Sequence, residues 1–174
     1  AASGGVLQTV PYRDDFEDLE ALAAMANTVD ARLVYLANPD NPMGTCWDAA
    51  EVLKLRDALP ADAILVLDEA YYEFAPASAI PTIDTTDPRM LRFRTFSKAH
   101  GLAGARVGYV IGHAETIAAF DRVRDHFGVG RVAQAAALAS TQAGYVAARP
   151  VVARCVDARG APELLARRHY DRGE

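Results

Sequence analysis

Short apolar runs alternate along the chain with segments in which apolar residues recur at helical spacing. The apolar runs predict strands at Val6–Val10, Arg32–Ala37, Ile64–Leu67, Met90–Thr95 and Val107–Ile111. The helical pattern predicts helices at Asp14–Met25, Thr45–Leu59, Ala114–Phe127 and Val132–Ala143. This alternation is typical of βαβ units. It predicts an α/β fold with three α/β/α layers around a mostly parallel sheet that is buried on both faces.

The ends and inner faces of the helices follow from individual positions. Asp14 and Asp15 suit the positive end of the first helix, and Thr45 with Asp48 predicts a capping box at the start of the second. The segment 128–130 (GVG) predicts a turn between the last two helices. Four apolar residues of the third helix are expected to point inward: Ile117, Phe120, Val123 and Phe127.

Composition and charge narrow the classes of partner. The chain has 174 residues, of which 51% are hydrophobic and 24% charged, as expected for a globular protein with a real core. A net charge of −5 argues against nucleic acid or an anionic membrane as the main partner. No apolar run approaches the roughly 20 residues that span a bilayer. Two cysteines form no disulfide framework, which favours a reducing, cytoplasmic location. The histidines and cysteines lack zinc-type spacing, so no metal site is expected.

Polar clusters follow three of the predicted strands. They are residues 38–45 (NPDNPMGT), 68–71 (DEAY) and 96–98 (FSK), the last continuing to Arg106. Ligand sites in parallel α/β sheets lie beyond the carboxyl ends of the strands. We therefore expect Asn41, Asp68 and Lys98 to converge at one edge of the sheet.

Together these clusters resemble the fold-type I aminotransferases of class I/II, and most closely the histidinol-phosphate aminotransferase branch. The resemblance covers Val6 to Gly144 through the motifs NPDNPMGT, DEAYYEF, TFSKAHGLAGARVGY and AQAAALAS, which occur in the family's order. Lys98 follows Asp68 by 30 residues and precedes Arg106 by 8, as the family pattern requires. The resemblance implies pyridoxal 5'-phosphate (PLP) as cofactor. It also implies transfer of an amino group from a small-molecule donor such as histidinol phosphate to a 2-oxo acid, 2-oxoglutarate.

The resemblance also implies a role for each matching residue. Lys98 is the lysine that binds the cofactor covalently and then moves the proton at the substrate Cα. Asp68 is the carboxylate that keeps the cofactor's ring nitrogen protonated. Asn41 and Tyr71 hydrogen-bond its phenolic oxygen. Three further residues match the phosphate cradle, in which a guanidinium and hydroxyl groups suit a dianion: Arg106, Ser97 and Thr95.

Several alternatives stay open at the level of the residues. Lys98 has the ordinary interpretation of a solvated surface lysine, Asn41 that of a turn residue, Tyr71 that of a core residue and Arg106 that of a surface ion pair. Four apolar residues followed by Asp68-Glu69 also resemble the metal-binding strand of nucleotide-binding ATPases, although neither lysine lies in the glycine-rich loop such proteins need. A different PLP enzyme remains possible, such as a phospho-amino-acid decarboxylase or an aromatic aminotransferase. So does a non-catalytic remnant.

Members of this family normally have a longer chain. We interpret residues 1–144 as part of the PLP-binding large domain, and 145–174 as a linker or the start of the small domain. The resemblance implies that the full-length protein is a homodimer. The arginine that binds the substrate carboxylate, the aromatic residue that stacks on the cofactor and a tyrosine of the partner subunit are expected in parts of the protein outside this chain.

Overall fold

A computed structural model describes residues 4–125, 127–142, 155–157 and 162–163 of the chain. The strands are β1 (Leu33–Ala37), β2 (Thr45–Cys46), β3 (Ile64–Asp68), β4 (Met90–Thr95), β5 (Gly108–Ile111), β6 (Cys155–Asp157) and β7 (Pro162–Glu163). The α-helices are α1 (Leu19–Thr28), α2 (Ala49–Ala58), α3 (Ala114–Phe120) and α4 (Arg131–Ser140). Three single turns of 3-10 helix lie at Tyr72–Phe74, Ala77–Ala79 and Ala103–Ala105.

Four strands form the main sheet in the order β1-β3-β4-β5. The pairs β1–β3 and β3–β4 are parallel, and β5 adds to β4 in the antiparallel direction. The predicted strand at Val6–Val10 is wrong, because that segment has no strand pairing in the structure. The three parallel strands are those that the polar clusters follow, so the expected single sheet edge is present. The fold is α/β with a mostly parallel sheet, as predicted.

The core lies on one face of this sheet, which we call the core face. Continuous apolar strands supply one half of it, and the apolar sides of α1 and α2 supply the other. The buried residues of this cluster are Ala26, Val34, Leu36, Val52, Leu55, Leu59, Ala63, Leu65, Leu67 and Met90. Leu36, Leu65 and Leu67 are fully buried, and burial of each such side chain contributes about 1.5–3 kcal/mol.

The second face of the sheet, which we call the open face, is covered only in part among the described residues. Helix α3 packs there, with the Phe120 and Phe93 ring centroids 6.2 Å apart. At β1, Leu33 and Tyr35 are 66% and 57% exposed. Helices therefore flank both faces, which gives the three layers that the sequence predicts. The expectation of a sheet buried on both faces is not met at β1.

The first two helices begin later than the sequence pattern predicts. Asp14 and Asp15 adopt positive φ angles in a turn before α1, and the helix is capped by Asp18, whose carboxylate accepts from the backbone N–H of Ala21 at 3.0 Å. Thr45 does not cap α2, because it lies in strand β2. Asp48 is the N-cap residue, without a side-chain cap hydrogen bond.

The last two helices are shorter than predicted. Helix α3 ends at Phe120, and Val123 and Phe127 beyond it are 84% and 95% exposed, so the expectation that they point inward is wrong. Helix α4 begins at Arg131 after Gly130 as N-cap, which places residues 128–130 in the connection between the two helices as expected. None of the helices in the described part of the chain has the length and apolarity needed to cross a bilayer.

A second, three-stranded sheet joins β2, β6 and β7. The pair β2–β6 is parallel and β6–β7 antiparallel. Cys46 in β2 is buried and disulfide-bonded, which corrects the expectation of a reduced thiol at that position. Apart from β6 and β7, the expected linker or start of a small domain at 145–174 lies outside the described residues.

A buried ion network fixes the loop that follows β3. Glu69 is 1% exposed and binds the guanidinium groups of both Arg92 and Arg94. Its Oε2 accepts from Arg92 Nε at 3.0 Å and from Arg94 Nε at 2.8 Å. Arg92 Nη1 also donates to the carbonyl of Pro81 at 2.7 Å, and the Arg94 guanidinium stacks 3.7 Å from the ring centre of Tyr72. The network holds β3, β4 and the segment after β3 in one arrangement.

Removing the Glu69 carboxylate is expected to destabilise the protein strongly. Glu69→Ala leaves two guanidinium groups without their anion, one of them nearly fully buried, and breaking a buried pair in this way costs about 3–5 kcal/mol. The shift of the denaturant midpoint measures the loss. Glu51→Ala is the matched control, because it breaks the exposed Glu51–Lys54 pair, which contributes about 0–1 kcal/mol. Equal losses in the two variants would contradict the role given to Glu69.

Candidate functional site

At the carboxyl end of β3, two consecutive carboxylate side chains lie on opposite faces of the sheet. Asp68 ends the strand on the open face, whereas Glu69 turns to the core face and its arginines. Asp68 Oδ1 accepts from the backbone N–H of Ala70 at 2.9 Å, and its Oδ2 accepts from the hydroxyl of Tyr35 at 2.8 Å. Both donors are neutral, and the described part of the chain holds no ion-pair partner for Asp68, whereas Glu69 is paired with two guanidinium groups.

Three of the residues singled out in the sequence lie together beyond this edge. Asn41 Nδ2 donates to the Tyr71 hydroxyl oxygen at 3.3 Å, which connects the loop after β1 to the loop after β3. The ammonium nitrogen Nζ of Lys98 lies 5.0 Å from the centre of the Tyr71 ring. Asn41 and Lys98 are both exposed side chains. The structure thus brings an amide, a phenol and an amine from three different loops to one place.

The three residues expected to bind phosphate line one open cleft. It has a volume of about 370 Å³, and Thr95, Ser97 and Arg106 contribute to its wall together with Arg94 and Tyr109. The Thr95 hydroxyl oxygen accepts from the Ser97 backbone N–H at 3.0 Å, which shapes the turn into the Lys98 loop. The cleft combines a cationic group with small hydroxyl groups, the set that suits a phosphate.

Local backbone geometry places Arg106 at this cleft. Arg106 has a φ angle of 50°, which is uncommon for a residue other than glycine. Its Nη1 donates to the carbonyl of Ala103 at 3.0 Å. Next to it, a Cβ on Gly108 would lie 2.7 Å from the Arg94 carbonyl oxygen, so only glycine lets β5 approach β4 so closely here.

The loop that carries Lys98 is tied to two other parts of the chain through His100. One ring nitrogen of His100 contacts the Ser140 carbonyl in α4 at 3.2 Å, and the other contacts Glu73 Oε1 at 3.1 Å. Both His100 and Ser140 are buried. Burial, partly offset by hydrogen bonding and by the charges of His100 and Arg94, raises the pKa of Glu73. These contacts fix the loop that presents the lysine.

Two residues near Asp68 were not singled out in the sequence. Tyr35 contacts Asp68 directly, and the period-two alternation of side chains along paired strands could have found it, since it lies on the same face. Glu17 precedes α1 and accepts from the Ala37 backbone N–H at 3.2 Å. Burial, together with the charges of Asp40 and Asp68 and opposed by that hydrogen bond, raises the pKa of Glu17 to about 7. No local sequence signal marks Glu17, because its burial is set by the fold.

Glu17 is expected to make stability fall as pH rises. Its pKa is raised from 4.5 to about 7 in the folded protein, so between these values the folded state binds more protons than the unfolded state. The stabilising contribution of Glu17 is therefore full below pH 4.5 and is lost as the pH rises to about 7, a change of roughly 1–3 kcal/mol for this group. Glu17→Gln removes this contribution. The urea midpoint of the variant should therefore rise relative to that of the parent as the pH is raised from 5 to 8.

The control for this pH series is Glu20→Gln, at a side chain that is 89% exposed. It should follow the parent at both pH values. A Glu17→Gln variant whose difference from the parent is the same at pH 5 and pH 8 would contradict the raised pKa.

The groups at this edge match, part by part, the chemistry of a phosphorylated pyridine aldehyde. Asp68 offers an anionic acceptor for a protonated ring nitrogen. Asn41 and Tyr71 offer polar groups for a phenolic oxygen, and Lys98 offers an amine for the aldehyde. The cleft at Thr95, Ser97 and Arg106 suits the phosphate. The residues present therefore fit PLP.

Comparison with known proteins decides the family. A sequence model described as aminotransferase class I and II matches residues 1–149. The chain belongs to the class I and II aminotransferase family. This membership removes the nucleotide-binding ATPase interpretation of β3, and the structure gives a physical reason: Glu69 is occupied by arginines on the face opposite Asp68.

The relatives of this aminotransferase chain are named for two different substrates. It is 42% identical over 168 residues to the aromatic amino acid aminotransferase of Nocardia farcinica, covering 93% of the chain and 47% of the relative. It is 47% identical over 134 residues to histidinol-phosphate aminotransferase 2 of Ralstonia nicotianae, covering 75% and 36%. Among solved structures, histidinol-phosphate aminotransferase of Sinorhizobium meliloti in complex with pyridoxal-5'-phosphate is similar with a TM-score of 0.79 and 53% identity, covering 82% and 40%.

The aminotransferase chain spans less than half the length of these relatives. The shared part contains the carboxyl edge of the sheet with Asn41, Asp68, Tyr71 and Lys98.

Proposed function

We propose that this chain is the cofactor-binding part of a PLP-dependent aminotransferase. The observation that carries the proposal is the cluster at the sheet edge, where Lys98 lies over Tyr71 and Tyr71 is hydrogen-bonded to Asn41. When bound, the cofactor supplies an electron sink for the bond changes at the substrate Cα. Family membership and the chemical fit of the edge residues support this assignment.

Each residue then has a defined task. Lys98 holds the cofactor covalently, yields to the substrate amine and afterwards moves the proton at the substrate Cα. Asp68 keeps a proton on the ring nitrogen through its negative charge. Asn41 and Tyr71 hydrogen-bond the phenolic oxygen. The cleft residues bind the phosphate; they are Thr95, Ser97 and Arg106.

For the substrates, we propose histidinol phosphate as amino donor and 2-oxoglutarate as acceptor. The 53% identity to the Sinorhizobium meliloti protein supports this choice. A second candidate is an aromatic amino acid as donor, and the Nocardia farcinica relative, which matches 93% of the chain, favours it. The two donors share a planar ring, and they differ in the phosphate and in the carboxylate on the amine-bearing carbon.

Steady-state kinetics of the intact protein distinguish the donors. With 2-oxoglutarate as acceptor, kcat/KM for histidinol phosphate should exceed that for phenylalanine and tyrosine by about tenfold or more, a difference of roughly 1.4 kcal/mol in transition-state binding. The reverse order would replace the donor by an aromatic amino acid. Release of carbon dioxide from a phosphorylated amino acid, without consumption of a 2-oxo acid, would instead assign a decarboxylase.

The remaining proposals concern the whole protein. Residues 1–144 form part of the large domain, and 145–174 lead toward a small domain. The intact protein is a homodimer, for which light scattering after size-exclusion chromatography is the test. A cytoplasmic location stays a prediction, and cell fractionation checks it.

A further inference from the structure

Tyr35 contacts Asp68 but has no task in the proposed function. It lies in the middle of β1 on the open face, and 57% of it is exposed. Its hydroxyl donates to Asp68 Oδ2 at 2.8 Å. An exposed tyrosine on a strand gains nothing for the core from this contact, so the consequence of the hydrogen bond lies at Asp68.

The sheet register makes this contact a product of the fold. Tyr35 pairs with Val66 and Ala37 pairs with Asp68 in the parallel β1–β3 ladder. Tyr35 and Asp68 are therefore diagonal neighbours on the same face, a separation that a long aromatic side chain can span. A residue with a shorter side chain at position 35 would not reach the carboxylate.

The two hydrogen bonds to Asp68 fix the carboxylate at both oxygens. The Ala70 N–H occupies one lone pair of Oδ1, and the Tyr35 hydroxyl occupies one of Oδ2. An ionised carboxylate has about four acceptor positions. Positions on both oxygens thus remain for a ring N–H, and the plane of the carboxylate is set before that group arrives.

The Tyr35 hydroxyl is held in its donating form. Burial of the hydroxyl, and then the hydrogen bond and negative charge of Asp68, raise the pKa of Tyr35, and the charges of Glu17 and Asp40 add to this effect. A neutral donor orients a carboxylate without cancelling its charge. Glu69, the neighbouring residue, shows the opposite arrangement, since two guanidinium groups neutralise it.

We propose that Tyr35 is a positioning residue, which holds the Asp68 carboxylate in the orientation that binds the protonated ring nitrogen of the cofactor. The inference rests on the proposed function, because it acts only through the role given to Asp68. Tyr35 touches neither the substrate nor the reacting atoms in this scheme. Its contribution is to keep the charge of Asp68 on the cofactor nitrogen.

The test is Tyr35→Phe in the intact, PLP-loaded protein, which removes one hydroxyl and keeps the ring. We expect kcat to fall about tenfold, the lower end of the ten- to hundredfold range found when a partner that orients a metal ligand is removed. KM for the amino donor should change by less than about twofold, because substrate binding is not involved. The thermal midpoint should stay within about 1 °C of the parent, because the variant keeps the ring and loses a single hydrogen bond.

A spectroscopic readout separates positioning from a general loss of activity. A ring nitrogen that holds its proton less tightly withdraws less charge from the bond between cofactor and Lys98. The pH midpoint of the cofactor's absorbance change should therefore rise by about 0.5 unit or more in Tyr35→Phe. An unchanged midpoint together with unchanged kcat would overturn the inference.

A double-mutant cycle decides whether Tyr35 acts through Asp68. In an Asp68→Ala background, Tyr35→Phe should change kcat by less than about twofold, because the carboxylate it orients is absent. A full tenfold loss in that background would overturn the inference in favour of an independent role for Tyr35. If the parent protein carries no cofactor on Lys98, the proposed function itself fails, and that result is read from the parent before any variant is compared.

Discussion

Replacing Lys98 by alanine is expected to abolish transamination. The variant loses both the amine that binds the cofactor and the base that moves the proton at the substrate Cα, and each role alone contributes orders of magnitude to the rate. We expect turnover of the intact protein to fall by about 10⁴-fold or more. Measurement of glutamate formation from 2-oxoglutarate and an amino donor gives the value.

Lys54 provides the matched control, since the chain has only two lysines. Lys54 lies in α2, is bonded to Glu51 at 2.6 Å and has a side chain that is 72% exposed. Lys54→Ala should leave turnover unchanged within about twofold, because an exposed pair of this kind contributes little. Substantial turnover in Lys98→Ala would remove the lysine from the mechanism.

The second large effect is expected for Asp68→Asn. The amide keeps the shape of the side chain but not its charge, so the ring nitrogen of the cofactor is no longer held in its protonated form. We expect turnover to fall about 10²–10³-fold, the range found when one preorganised electrostatic group is removed, while the cofactor still binds to Lys98. Absorbance of the bound cofactor and the turnover rate check the two halves separately.

An exposed aspartate serves as control for the charge change. Asp57 pairs with Arg56 and Arg89 at the surface, and Asp57→Asn should change turnover by less than about twofold. Near-parent turnover in Asp68→Asn would show that the carboxylate has another task. Loss of cofactor binding in that variant would mean that Asp68 acts in affinity rather than in the reaction.

Strands β1 and β3 could be predicted because each is a continuous apolar run, whereas β4 (MLRFRT) also carries Arg92 and Arg94, which bind Glu69. The strand at Met90–Thr95 matches its prediction at both ends, and β1 and β3 differ by one residue. In each case apolar residues mark the strand and polar or turn residues follow it, so the length of the strand is encoded locally. The polar residues that follow these strands were therefore placed at the correct edge.

The errors lie where distant parts of the chain decide the structure. The residues around Thr45 predict a helix cap, but Thr45 pairs with Val156 in β6, more than one hundred residues away. The antiparallel direction of β5 is set by its pairing with β4. The apolar pattern of β5 alone does not indicate this direction. Phe127 was predicted to point inward, although α3 ends at Phe120.

The site itself was predicted in its residue types but not in its supporting contacts. Asn41 and Lys98 both contact Tyr71, and Asp68 ends β3 at the same edge of the sheet. The roles of these residues stay predictions. Tyr35 and Glu17 were missed, because one looks like an ordinary strand residue and the other like an ordinary surface acid. Their relation to Asp68 exists only once β1 and β3 are paired.

Chemical trapping of the cofactor shows directly which lysine binds it. Borohydride reduction of the intact protein loaded with PLP makes the link to an amine permanent, and peptide mapping then locates it. The label is expected on the peptide that contains Lys98, with Lys54 unmodified, and no label is expected on this segment in Lys98→Ala. A label on Lys54, or on neither lysine of this segment, would contradict the assignment of Lys98 and with it the proposed function.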